Sequence, residues 1–113
     1  MNREQTIERI RAWARRATSE AQYADTRENA LNWRGQAQAL NGVASFLAEQ
    51  GAQLSDLDIW TQVVADREKS RLAWLEGGDV AFEAGQVAGF DVALTALKDV
   101  DSVVWPRVEP HVG

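Results

Sequence analysis

Cysteine is absent from the 113-residue chain, which excludes disulfides, thiolate nucleophiles and cysteine-ligated metal. Proline is confined to Pro106 and Pro110, so nothing before the last eight residues carries an obligatory helix stop. The sole histidine, His111, has no companion for holding a metal and no nucleophile beside it in the sequence, and is not read as catalytic. No phosphate loop, dinucleotide fingerprint or calcium-loop pattern occurs. Gly77 and Gly78 are followed by Asp79, an acid that disfavours a bound phosphate and fits a turn. Carboxylates at helical spacing, Asp79 with Glu83 and Glu4 with Glu8, match solvated helix faces. The reading is therefore not an enzyme, with no cofactor and no metal.

Long apolar runs are missing too. The longest uncharged stretch, Gly35 to Ala48, contains Gln36, Gln38 and Asn41 and falls about four residues short of a spanning helix. Neither a signal peptide nor a membrane span is expected, and the cytoplasm is the default compartment. Net charge is −5, unevenly spread. Residues 1–48 hold seven arginines against five acids, and residues 49–113 five basic residues against twelve acids. The acidic half repels nucleic acid and is free to meet a basic partner.

What the chain does have is helical periodicity. Ile7, Ile10, Trp13, Ala14, Ala17, Ala21 and Ala24 fall within one arc of about 120° on a helix, which places a first helix over residues 3–24. Asp25 with Glu28 resembles a capping box for a second helix running to Gln50, before Gly51. Ser55 offers a cap for a third, with Leu57, Trp60, Val64 and Leu75 on one side, ending at Gly77 and Gly78. Asp79 caps a fourth, reaching about Val100. The expected architecture is all-α: a four-helix bundle-like domain of two helical hairpins over residues 1–101, with an extended tail over 102–113 carrying Trp105 between Val104 and Pro106.

The halves echo one another. Ile7, Ile10 and Trp13 match Leu54, Leu57 and Trp60 at an offset of 47, and Gly35, Gln36 and Leu47 match Gly85, Gln86 and Leu97 at an offset of 50, as a duplicated hairpin would.

Helices two and four are too apolar for outer helices, since residues 35–48 carry no charge and residues 84–97 only Asp91; each must be buried on more than one side. Each has a bulky face (Trp33, Ala37, Leu40, Ala44 and Leu47; Val80, Val87, Phe90, Leu94 and Leu97). Each also has a flat one: Gly35, Ala39, Gly42 and Phe46 on helix two, and Phe82, Gly85, Gly89, Ala93 and Ala96 on helix four. Glycine in a helix costs about 0.8–1 kcal/mol relative to alanine, so close backbone approach is expected, between the two helices of one chain or with a second chain. Gly35, Ala39, Gly42, Phe46, Gly85, Gly89 and Ala93 are accordingly candidate interface residues, together with Trp105 as an aromatic anchor. On helix three, Arg67 and Arg71 fall among Trp60, Val64, Trp74 and Leu75, where a lone charge is costly, and Asp91 is the expected partner of one of them.

These residues point to a non-enzymatic interaction or assembly protein, such as an inhibitor of phage or host type, an adaptor or a structural subunit. It would act on another protein and self-associate as a homo-oligomer. The alternative is a nucleic-acid-associated protein using Arg9, Arg11, Arg15 and Arg16 of the first helix. Those arginines flank the apolar stripe on both sides, which disfavours it.

Overall fold

The computed structural model describes residues 2–77 and 79–98; the tail and Trp105 lie outside the described residues. Four helices follow one another: α1 (Arg3–Gln22), α2 (Arg27–Gln50), α3 (Asp56–Leu75) and α4 (Val80–Lys98), with a short 3-10 turn over Gly51–Gln53. No strand occurs among the described residues, and the helices form a bundle built from two hairpins.

Every helix begins at a side-chain cap, each worth about 1 kcal/mol. Asn2 accepts from the Gln5 backbone N–H while Gln5 Oε1 accepts from the Asn2 N–H. Ser55 caps α3 by accepting from Asp58 N at 3.1 Å, and Asp79 Oδ1 accepts from Phe82 N at 3.3 Å. At α2 the cap is Thr26, accepting from Asn29 N at 3.1 Å, and not the expected Asp25. Thr26 is the last residue in extended backbone, φ −130 and ψ 157, so only its oxygen overhangs the first turn. Asp25 accepts instead from the Asn29 amide. Helix α3 ends through Gly77 at φ 89, the left-handed position that glycine takes without penalty.

Helices α2 and α4 lie at the centre, with α1 packed on α2 and α3 on α4. The core is continuous through Ile10, Leu40, Leu47, Ile59, Trp60, Val63, Phe90, Leu94 and Leu97; each large side chain contributes about 1.5–3 kcal/mol by leaving water. One guanidinium ties the two hairpins together at the end where α1 and α3 begin. Arg3 donates to the carbonyls of Gly51 and Leu54 and pairs with the Asp56 carboxylate.

On α3 the buried arc is Ile59, Trp60, Val63, Arg67 and Ser70, which shifts the expected face. Leu57 and Leu75 are exposed and Val64 is half-buried. Apolar residues lie all round this helix while, among the described residues, only α4 covers it along its length, so the leucines outside that arc stay in water. By length and composition α4 would suffice to cross a membrane, a property the charge count did not bring out. Here its Gly85, Val87, Gly89, Phe90, Ala93, Leu94, Ala96 and Leu97 are buried.

Candidate functional site

The flat faces of α2 and α4 meet inside one chain. A Cβ on Gly35 would run into the Phe82 carbonyl oxygen and lie 2.9 Å from Gln86 N; one on Gly85 would run into the Asn32 carbonyl. A Cβ on Gly89 would stand 2.7 Å from the Gln36 oxygen and 2.9 Å from Ala39 Cβ. Ascending residues of α2 meet ascending residues of α4, so the central helices run parallel, and Asn32 Nδ2 donates to Ala81 O at 3.3 Å across the seam. Gly35, Ala39, Gly85, Gly89 and Ala93 are buried and are not available to another chain. Gly42 is exposed with open space where its Cβ would be, and Phe46 is half-buried at the core edge. Trp105, the remaining candidate, lies outside the described residues.

The seam is reciprocal, and its symmetry extends to the whole hairpin. The buried positions of α2, namely 35, 37, 39, 40, 43, 44 and 47, recur at an offset of 50 as 85, 87, 89, 90, 93, 94 and 97 on α4. For α1 and α3 the repeat is 53: buried Thr6, Ile10, Ala14 and Ala17 correspond to Ile59, Val63, Arg67 and Ser70, and the cap Asn2 to Ser55. The offset of 47 read from the sequence is therefore corrected. It matched Trp13 to Trp60, although Trp13 is half-buried and Trp60 is 3 % exposed. The two offsets differ by three residues because α2 carries nearly one extra turn between its cap Thr26 and Gly35.

Applied to the surface, this internal two-fold reveals the same groove twice. Between α1, α2 and α4 runs a groove of about 420 Å³ lined by Arg9, Trp13, Arg16, Ala17, Trp33, Gln36, Leu40, Val92 and Thr95. Between α3 and α4 lies its counterpart, about 320 Å³, lined by Asp66, Lys69, Ser70, Ala73, Glu83, Gln86 and Phe90. At the two offsets Ala17 corresponds to Ser70, Gln36 to Gln86, Leu40 to Phe90 and Arg16 to Lys69. Trp13 corresponds to Asp66 and Trp33 to Glu83. The fold builds one copy with two carboxylates where the other holds two indoles, so hairpin packing does not require tryptophan at those places. Both indoles are half-buried. The Arg9 guanidinium lies 4.8 Å from the Trp13 ring centroid, a cation–π stack that presents a flat cationic surface at the groove edge. Among the described residues no acid lines this groove.

Trp13, Trp33, Trp60 and Trp74 all stand in or beside the apolar helix faces read from the sequence. Of these four only Trp60 is buried; Trp74 is 38 % exposed, at the α3 end that also exposes Leu72, Leu75 and, across the turn, Val80. The groove was missed because half-buried and buried indoles share one helical periodicity; aligning the halves at 53 and 50 is the signal that separates them. The α1 arginines divide between its sides. Arg9 and Arg16 line the groove, whereas Arg11 pairs with Glu8 at 3.2 Å.

Asp91 meets Arg67 and not Arg71. Arg67 Nε donates to Asp91 Oδ1 at 2.5 Å, with the Arg67 side chain 10 % and Asp91 52 % exposed. Arg71 donates through Nε and Nη2 to Glu68, a hydrogen bond that raises the guanidinium further above its ordinary value. Among the described residues no cluster of His, Asp or Glu is placed to hold a metal. No protein-family model matches the chain, and neither a curated protein nor a solved structure matches it significantly.

Proposed function

We propose that this chain is a non-enzymatic protein-interaction module, acting in the cytoplasm as an inhibitor, adaptor or structural subunit, and that the Trp13–Trp33 groove is where it takes its partner. A single observation carries the reading: the groove's symmetry mate is built with Asp66 and Glu83 in place of the two tryptophans. Large half-buried aromatics that the fold can do without are the residues that dominate interface energetics. With Arg16 exposed at its edge and no acid among the described residues that line it, the groove suits an apolar anchor flanked by carboxylates.

The test is peptide selection from a random display library. The full chain should enrich sequences that pair an aromatic or aliphatic anchor with Asp or Glu. A Trp13→Asp/Trp33→Glu variant, which installs what the other hairpin already carries, should enrich none of them. Equal enrichment by the variant would overturn the reading.

Indoles beside arginines are also the chemistry of single-stranded nucleic acid binding, which supports the second reading. The division of the α1 arginines between two sides of the helix and the net charge of −5 weigh against it. Salt-sensitive quenching of tryptophan fluorescence by an oligonucleotide would move the assignment there.

A further inference from the structure

Among the described residues, nothing fills the aromatic groove beside Arg16 or covers the exposed apolar side chains at the turn between α3 and α4. We infer that they are the two halves of one contact, in which the α3–α4 turn of one copy of this chain seats in the Trp13–Trp33 groove of another. The inference rests on the groove being a protein-binding site, as proposed above, and names its occupant.

The turn has the required chemistry. Leu75 is 66 % and Val80 56 % exposed, and Leu72 is exposed on the Leu75 side of α3 one turn earlier, apolar side chains that a partner would take out of water. Glu76 and Asp79 flank them, and no lysine or arginine occurs between Leu72 and Leu97; Arg27 and Glu28 of α2 line the pocket on the Asp79 and Val80 side, which leaves Glu76 as the acid outside that pocket. The groove offers the complement: Arg16 is exposed at its edge, and among the described residues no acid lines it. The turn joins two helices at one end of the bundle, whereas the acidic mate groove is concave like the groove itself and could not enter it. Because donor and acceptor are different surfaces, each copy carries one of each, and the contact is heterologous.

Sedimentation equilibrium of the full chain tests this, using one variant per surface. The groove variant is Arg16→Glu/Trp33→Glu, and the turn variant is Leu75→Arg/Glu76→Arg, which spares the Asp79 cap. The mass of the unaltered chain should at least double as concentration rises, and the gain should shrink with added salt. Each variant alone should remain a single chain. An equimolar mixture should form a species of two chains and stop there, since the groove variant keeps an intact turn and the turn variant an intact groove. A variant too unstable to use would fail to rescue its partner while losing its helical circular dichroism. In that case Arg16→Glu and Glu76→Arg alone replace the pair. An unaltered chain that stays monomeric at every concentration, or two folded variants that do not associate when mixed, would overturn the inference. If either result occurs while peptide selection still depends on Trp13 and Trp33, self-association is wrong and the groove's binding role stands. If both fail, the groove reading is wrong as well.

Discussion

Gly35 and Gly85 are reciprocal partners: each admits, in the space of its missing Cβ, the carbonyl of the residue three positions before the other, Phe82 against Gly35 and Asn32 against Gly85. This exchange fixes the parallel register of α2 and α4 and sets the axis that relates the hairpins. Four glycines in two helices would be a net loss if none of them shortened an interhelical distance.

Alanine at Gly35 or Gly85 meets backbone, which cannot give way as a flexible side chain would. Each substitution should destabilise by about 2–3 kcal/mol, the upper part of the usual overpacking range. Gly42→Ala, with nothing near its Cβ, should stabilise by about 0.5–1 kcal/mol through helix propensity alone. Urea titrations of the three variants check this; a neutral Gly35→Ala would mean that the seam is not closed in solution.

Removing the Asp91 carboxylate leaves Arg67 nearly buried without its partner. Full burial of both groups would make the loss about 3–5 kcal/mol, but Asp91 is half-exposed and water reaches that side of the pair. The expected loss for Asp91→Ala is about 1–2 kcal/mol, against under 0.5 kcal/mol for a surface aspartate. A denaturant midpoint that does not move would show that Arg67 finds solvent without Asp91.

Arg3 was invisible in the sequence, one arginine among seven in the first half. In the fold it satisfies two carbonyls around the Gly51–Gln53 turn and a carboxylate at the start of α3. Arg3→Gln should cost about 1–2 kcal/mol, since charge-assisted bonds are lost from a partly exposed position. Amide exchange should quicken selectively over residues 2–6 and 51–56; uniform acceleration across the chain would contradict a local tie.

The central place of α2 and α4 was legible from charge alone, because residues 35–48 carry no charge and give water a narrow strip of Gln38, Asn41, Gly42 and Ser45. Helix limits within the described residues were legible within two residues from caps and glycines, with Thr26 displacing Asp25 because the cap is set by where the backbone leaves the extended region; the end of α4 expected near Val100 lies outside the described residues. The buried face of α3 was not legible. Its apolar residues encircle it, and which arc is covered depends on α4, a neighbour twenty residues away. The groove was hidden for a related reason: at helical spacing Trp13 and Trp33 look like core, and only the three-dimensional register separates them from Trp60. That the flat faces meet within one chain was one of two arrangements the spacing allowed.

The decisive measurement is the unfolding free energy of Trp13→Asp/Trp33→Glu, with Trp60→Ala as reference. If the groove tryptophans serve a partner and not the hairpin, the double variant should lose less than about 2 kcal/mol in total, while Trp60→Ala alone loses about 3–5 kcal/mol. A loss above about 4 kcal/mol for the double variant would make both indoles core residues and remove the basis for a binding groove.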